Sequence, residues 1–576
     1  MDNSKSLKYD GKPDIYYTVK EWCRHPFIIA AAACFFCISI TIEGKLPLFN
    51  AAIPVLIFFF SGIFVCLYII HRDKLQKKKT VKAALYGACA FLSLFFGYLL
   101  SMSNKPQLVI LFTGIVIAIS AAIYLFSTRQ MTTKKFIFLM LVLGFLIRLA
   151  YIMTTTIYRK QHDAGSIEAM RGHLGYIAYL LNNASLPDFD VREVYQFYHP
   201  PLHHIIAAIW VKIQSIMGIS QDYVWENIQL LTLFYSCCCM ILSYKLFRKL
   251  GLDGKGLCAA MAVVIFCPTF FILSGSINND ILSVTFMLGA FYNTLCWYES
   301  RSFKRIICIA LCVGLGMMTK LSVWMAAPAI AFIFIYVFFK NLKDIKKYIA
   351  QFAAFLGICV PLGLWWGIRN LISHGVPITY VMELSETSQQ YIGNISVVKR
   401  LFDFNPMQFE NVGDQFTMYD GKYNEYNPLV ALFKTSCFDE LFTVNIYPMV
   451  AGWDKLLFWS AVIVGIVGFI AMVYVFVNDK TMNVIHKIFI GIIYGVIFIS
   501  YYVFCIKFPQ VCSENIRYAV PLIVVGAFFF GKALNLLANS KMRNKYIPYV
   551  AETCLTEFVS MYSCASVIFY YLIFMS

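Results

Sequence analysis

The chain has 576 residues, of which 60% are hydrophobic, 17% aromatic and 14% charged, and its mean hydropathy is +0.68. A soluble globular chain is about one quarter charged, so a water-soluble enzyme is excluded and an all-α polytopic membrane protein is expected. Lys and Arg number 48 against 31 Asp and Glu, a net +17. These basic residues fall in short clusters between apolar runs and form no single patch, which argues against nucleic acid as a partner.

A membrane-crossing helix needs about 20 mostly apolar residues. The first four such runs are 26–43, 51–71, 82–101 and 107–126. Lys5, Lys8, Lys12, Lys20 and Arg24 precede the first, the run RDKLQKKK follows the second, and Arg129, Lys134 and Lys135 follow the fourth. Basic links stay in the cytoplasm, so the N-terminus is expected there. A fifth run, about 136–157, then leads outward to a polar stretch at 158–200. The basic links at 248–256, 299–305, 340–348, 478–487 and 539–546 are expected on the cytoplasmic side. Parity then allows one crossing between 200 and 248. The run 201–217, with His203, His204 and Lys212, is therefore read as an interfacial or re-entrant helix, and 228–246 as the crossing. About fifteen spans follow, with two large outer loops at 158–200 and about 370–455. The cysteines lie mostly inside apolar runs, as at Cys237, Cys238 and Cys239, where they suit small buried hydrophobes.

The first outer loop opens with YRKQHDAGSIEAMRGHLGYIAYLL, which places His162 and Asp163 where the fifth run leaves the membrane. Ile167, Met170, Leu174, Ile177, Ala178 and Leu181 recur every three to four residues. This spacing predicts an amphipathic helix over 166–182, lying on the membrane surface with Glu168 and His173 on its polar side. The loop closes with PDFDVREVYQFYHPPLHH. Five of the nine histidines, His162, His173, His199, His203 and His204, fall within it. Acid and imidazole at a lipid–water boundary suit general-base work or a metal site. The plainer reading is that interfacial His and Tyr anchor helix ends. Asp280, in SINND, stands at a helix start, where an N-cap is the ordinary role. Lys320 and Arg517, each beside an apolar stretch, either snorkel or bind an anion. Parity puts Asp163, His199, Asp280, Lys320 and Arg517 on one face.

Carboxylates beside cations on that face suit transfer of a sugar from a lipid phosphate. A carboxylate takes the acceptor's hydroxyl proton, and fixed cations stabilise the departing phosphate. The order of elements resembles a known family: an Asp after the fifth run, a juxtamembrane helix, Tyr198-His199-Pro200-Pro201-Leu202, Asn279-Asp280, the segment GMMTK ending at Lys320, and Arg517-Tyr518 followed by Pro521. It is similar to the GT-C membrane glycosyltransferases, nearest to their protein-mannosyltransferase-like and aminoarabinose-transferase-like group, which is family 39-like. The likeness covers about 136–370 and, in fewer residues, 505–540.

The resemblance implies a GT-C-like helical bundle with outer-face juxtamembrane helices. Its catalytic membrane module would be 136–370, preceded by a four-helix extension at 1–135. A small extracytoplasmic loop subdomain at 371–455 and C-terminal spans at 456–576 would follow. It implies Asp163 as the catalytic residue, a general base, and places His199, Lys320 and Arg517 at the donor phosphate. His162, Glu168, His173 and Asp280 would shape an acceptor or metal site. Many relatives carry a second acid directly after the catalytic Asp, whereas here Ala164 follows and His162 precedes, leaving Glu168 as the nearest second carboxylate. No cofactor is called for, although a divalent metal is compatible with these residues. Asp188 and Asp190 have the D-x-D form that holds a metal on nucleotide diphosphates, but a donor without a diphosphate has less need of it, and Pro187-Asp188 is also an ordinary turn.

The expected partners are a polyprenyl-phosphate sugar donor, membrane lipids, and a glycan, protein or lipid acceptor. The chemistry is expected on the extracytoplasmic face of a bacterial cell membrane. The alternative, a transporter or flippase of lipid-linked glycans, requires ionisable groups inside the spans. The runs 51–71, 107–126 and 257–275 have none in their interiors, and Arg148 is the main exception. In the second outer loop Trp453, Tyr419, Tyr423 and Tyr426 suit either stacking on sugar faces or packing of a small subdomain.

Overall fold

The structure is a computed structural model and describes residues 25–36, 87, 105–383, 385–410, 412–413, 418–419, 422–423, 425–439, 446–540 and 546–575. Among these residues the chain is almost wholly helical, with one two-stranded hairpin pairing Met418–Tyr419 with Lys422–Tyr423. Among the described residues ten helices are long and apolar enough to cross a membrane, or eleven if Gly254–Phe266 and Pro268–Gly275, bent by 41° at their junction, form one span. The expected runs at 51–71 and, apart from Gly87, at 82–101 lie outside the described residues, and 26–43 is described only to Phe36. Leu202–Ile216 is too short to cross, in keeping with its reading as a non-spanning helix.

The helix Ile228–Lys249 is central, buried on nearly every side, and packs on Asp280–Ser300. Phe303–Thr319 lies between Asp280–Ser300 and Ile345–His374. Gly254–Phe266 and Pro521–Ala538 touch so closely that a Cβ on Gly256 would come within 2.2 Å of the Gly531 carbonyl oxygen. Small residues that let backbones approach are a usual basis for helix association in lipid.

Inside a bilayer each backbone polar group needs a protein partner. Pro268 has no N–H and ends the helix Gly254–Phe266, freeing carbonyls at its end. Arg148, fully buried in the helix Thr133–Thr154, meets one of them. Its Nη1 donates to the carbonyls of Ile265 at 2.9 Å and Gly144 at 2.7 Å. Its Nε donates to Ser236 Oγ at 2.9 Å, and the Ser236 hydroxyl donates in turn to the Phe270 carbonyl at 2.9 Å. The intramembrane arginine thus braces the helix break.

The first loop departs from its expected form. The helix starts at Gly172 and ends at Asn183, and 166–171 form a tight turn closed by pairing of Ser166 with Arg171. Two glycines account for this. Gly165 and Gly172 have φ of +71° and +75°, and a Cβ on Gly165 would meet the Arg171 carbonyl oxygen at 1.8 Å. The helix does not lie on a surface either: Gly172 to Ala178 are all buried, against the helix Leu202–Ile216. His173 is accordingly interior, and Glu168 is exposed in the turn, where it accepts a bond from Ser166 Oγ at 2.8 Å.

Candidate active site

Four helix ends meet at one end of the bundle: the end of Thr133–Thr154, the start of Asp280–Ser300, the end of Phe303–Thr319 and the start of Pro521–Ala538. Asp163 is held there through its backbone. Helix N-termini leave N–H groups without intrahelical partners. Those of His173 and Leu174 are satisfied by the carbonyls of Asp163 at 3.0 Å and Ala164 at 2.9 Å. Asp163 itself adopts φ +58°, a conformation that Asp tolerates better than most residues. Gln161 clasps the preceding turn, with Nε2 donating to the Gly275 carbonyl at 2.8 Å and Oε1 accepting from Ile277 N–H at 3.0 Å.

The Asp163 carboxylate accepts from the Tyr195 hydroxyl on one oxygen and from Arg517 Nη1, at 3.1 Å, on the other. Its side chain remains a quarter exposed. Arg517 Nη1 also stands 4.0 Å from Asp280 Oδ2. Asp280 is the first residue of its helix, preceded by Asn279. Its carboxylate does not cap the helix. It pairs instead with Lys320 and accepts from Asn278 Nδ2 at 3.1 Å. Asn279 Nδ2 donates to the Thr319 carbonyl at 2.7 Å and fastens the two helix ends carrying Asp280 and Lys320. Lys320 Nζ and the Arg517 guanidinium lie 5.0 Å and 4.9 Å from the centre of the Tyr518 ring. Neither cation snorkels.

Two carboxylates and two cations balance one another in this chain of contacts. Burial pushes the Asp163 carboxyl upward in pKa, but Arg517, then His173, the Tyr195 hydroxyl and His162 outweigh it. The net result is an anion held well below the usual carboxylate range.

The histidine cluster resolves into separate parts. The His173 ring lies between those of His199 and His204, with centroids 5.4 and 5.2 Å apart, and its Nδ1 is 2.9 Å from His204 Nε2. Burial holds the His173 ring down to about 4 and those of His199 and His204 well below the ordinary value, so all three are neutral at pH 7. His199 can therefore offer a phosphate a neutral N–H and no charge. His203 bonds to the Ile277 carbonyl at 2.7 Å. His162 points elsewhere, with Nε2 2.6 Å from Asp439 Oδ2.

Glu168 is exposed and bonded to Ser166 Oγ in its own turn, away from the acceptor or metal role expected of it. Asp190 is paired with Arg192 at 2.5 Å and Asp188 is exposed, so the D-x-D pair is already engaged at one member. Among the described residues no group of three or more His, Cys, Asp or Glu side chains is arranged to hold a metal ion. Tyr426, which suited either sugar stacking or subdomain packing, is buried with its hydroxyl 2.5 Å from Asp403 Oδ2. Tyr195, Gln161, Asn278, Asn515, Tyr518 and Asp439 belong to the site or its supports and carry no motif in the sequence. Only the Tyr518-x-x-Pro521 spacing touched one of them.

Residues 198–366 match the family model described as dolichyl-phosphate-mannose-protein mannosyltransferase. The match supports a GT-C-like glycosyltransferase family for this chain. It includes His199, Asp280 and Lys320, while Asp163 and Arg517 lie on either side of the matched segment. It supports, in general terms, a membrane glycosyltransferase that uses a polyprenyl-phosphate sugar donor. Among curated proteins none matches the chain.

Proposed function

We propose that the protein transfers a sugar, in the manner of a mannosyltransferase, from a polyprenyl-phosphate donor to an acceptor hydroxyl on the extracytoplasmic face of the membrane, with Asp163 as general base. The observation that carries this reading is the contact chain Asp163, Arg517, Asp280, Lys320, drawn from four distant segments to one end of the bundle. The sidedness follows from the basic links, which fall at the opposite helix ends.

The charges fit the reaction. An acceptor O–H gives its proton to Asp163 while its oxygen bonds to the anomeric carbon. The bond between that carbon and the phosphate oxygen breaks, and its electron pair stays on the phosphate. Asp163 loses one negative charge as the phosphate gains one, so the site's net charge is conserved. Arg517 restrains the basicity of Asp163 while paired with it. A donor phosphate that engages Arg517 and Lys320 draws the guanidinium away from Asp163 and makes the carboxylate a stronger base. His199 contributes a neutral hydrogen bond. Attack opposite the leaving group inverts the anomeric centre.

The transporter reading has its main sequence support in Arg148, and that side chain is committed to backbone carbonyls at a helix break. The test is sugar transfer from a synthetic polyprenyl-phosphate mannose by purified protein in liposomes, with membrane extract as acceptor source. Wild-type protein is expected to transfer, and folded Asp163→Asn to lose about 100-fold or more of the rate. Undiminished transfer by folded Asp163→Asn removes the base from Asp163.

A further inference from the structure

Asp439 ends the helix Pro428–Phe438 in the second loop, and no sequence motif marks it. It adopts φ +60° as the residue that closes this helix. Both oxygens are used: Oδ2 lies 2.6 Å from His162 Nε2, and Oδ1 accepts from Asn515 Nδ2 at 3.0 Å. Asn515 Oδ1 in turn accepts from the Arg517 backbone N–H at 2.9 Å. One turn earlier, Thr435 Oγ1 accepts from Ile516 N–H at 2.9 Å. His162, Asp439 and Asn515 are all buried, with 4%, 7% and 1% of their surface exposed.

This places one carboxylate between the residue before Asp163 and the residue two before Arg517. We propose that Asp439 is a positioning residue for sugar transfer, setting the relative placement of the Asp163 and Arg517 segments through His162 on one side and Asn515 on the other. The inference rests on the transferase reading of Asp163. Its physical content is that base catalysis is lost over displacements of about 1 Å, while Asp163 and Arg517 sit on loops separated by 354 residues. Neither loop fixes the other locally. The short side chain of Asp439 ties both to the end of one buried helix, and with both oxygens bonded it is a rigid tie. Its carboxylate also orients the His162 ring, as carboxylates bonded to imidazoles do elsewhere.

Asp439→Asn is the informative substitution, because Asn also tolerates positive φ and keeps the shape. Its amide offers an acceptor oxygen at only one of the two positions, so it keeps both bonds only where the His162 ring changes tautomer and accepts from the amide, a route that His162→Ala removes. The protein is reconstituted in liposomes, and sugar transfer from polyprenyl-phosphate mannose to the membrane-extract acceptor is followed as a function of donor concentration. Folded Asp439→Asn is expected to lose about ten-fold or more in kcat and to raise the donor KM as well, because Arg517, a contact of the donor phosphate, shifts with it. His162→Ala is expected to behave alike, and the double variant to be no slower than the slower single one. A purely structural role lowers the folded yield and leaves kcat per folded molecule unchanged, and that result overturns the proposal, as do losses that multiply in the double variant. A second arm needs no turnover: a cryo-EM structure of Asp439→Asn is expected to show Asp163 and Arg517 out of hydrogen-bond reach. An intact contact there overturns the positioning role even if Asp163→Asn retains activity, which would refute the transferase mechanism separately.

Discussion

Glu514 lies three residues before Arg517 and is fully buried, its Oε1 3.2 Å from Arg400 Nη2. A second buried pair, Lys434 with Glu425 at 2.7 Å, is close enough for Glu425 to act on it electrostatically. Burial drives the Glu514 pKa upward, Arg400 draws it down, Glu425 adds to the rise, and the carboxyl is pushed up from 4.5 to about 8. The folded state therefore holds a proton between these two values that the unfolded chain has released. Stability conferred by this group is present in full below pH 4.5 and is lost as pH rises through about 8. At 1.36 kcal/mol per unit the loss is on the order of 5 kcal/mol. The neutral histidines act in the opposite sense at lower pH. His173 and His203, held down to about 4, make the fold gain stability as pH rises from about 4 to 6.5. The difference between wild type and Glu514→Gln cancels their contribution. Thermal unfolding in detergent between pH 5 and 9 should show a wild-type decline that runs from pH 5 to about 8 and then levels, which Glu514→Gln lacks, with the variant more stable at pH 9. A decline of equal size in both proteins would refute the reasoning.

Other perturbations read the site itself. Lys320→Met strands the buried Asp280 carboxylate and should cost about 3–5 kcal/mol in unfolding experiments. Adding Asp280→Asn should restore stability while the donor KM stays raised about ten-fold or more, which separates phosphate binding from folding. Gly165→Ala forces an L side chain into a left-handed conformation, at about 1–2 kcal/mol, and against the Arg171 carbonyl. Its melting temperature and kcat should both fall, because the turn it opens is the one that holds Asp163.

The convergence of Asp163, Asp280, Lys320 and Arg517 was legible because the positive charges between spans determine which ends share a face, and parity then brings distant residues together. Their pairing was not, since alternation of spans says nothing of neighbours within a face. The periodicity of 166–182 correctly signalled a helix but misplaced its start: the glycines at 165 and 172 close a turn that a hydrophobic pattern cannot see. The same pattern suggested a surface helix, whereas Leu202–Ile216 covers it. Arg148 drew notice as a charge within a span, and its explanation lay in Pro268, more than a hundred residues on. Asp439 was invisible for a different reason. An acid followed directly by Glu440 and flanked by Phe438, Leu441 and Phe442 carries no motif spacing, and only the fold brings it between His162 and Asn515.

The most direct test of the account is the position of the donor's phosphate. A cryo-EM structure of the reconstituted protein with a non-hydrolysable polyprenyl-phosphate mannose analogue is expected to show that phosphate bonded to Arg517 and Lys320, with the anomeric carbon facing an Asp163 carboxylate released from Arg517. A headgroup bound elsewhere, with the Asp163 and Arg517 contact undisturbed, would contradict it.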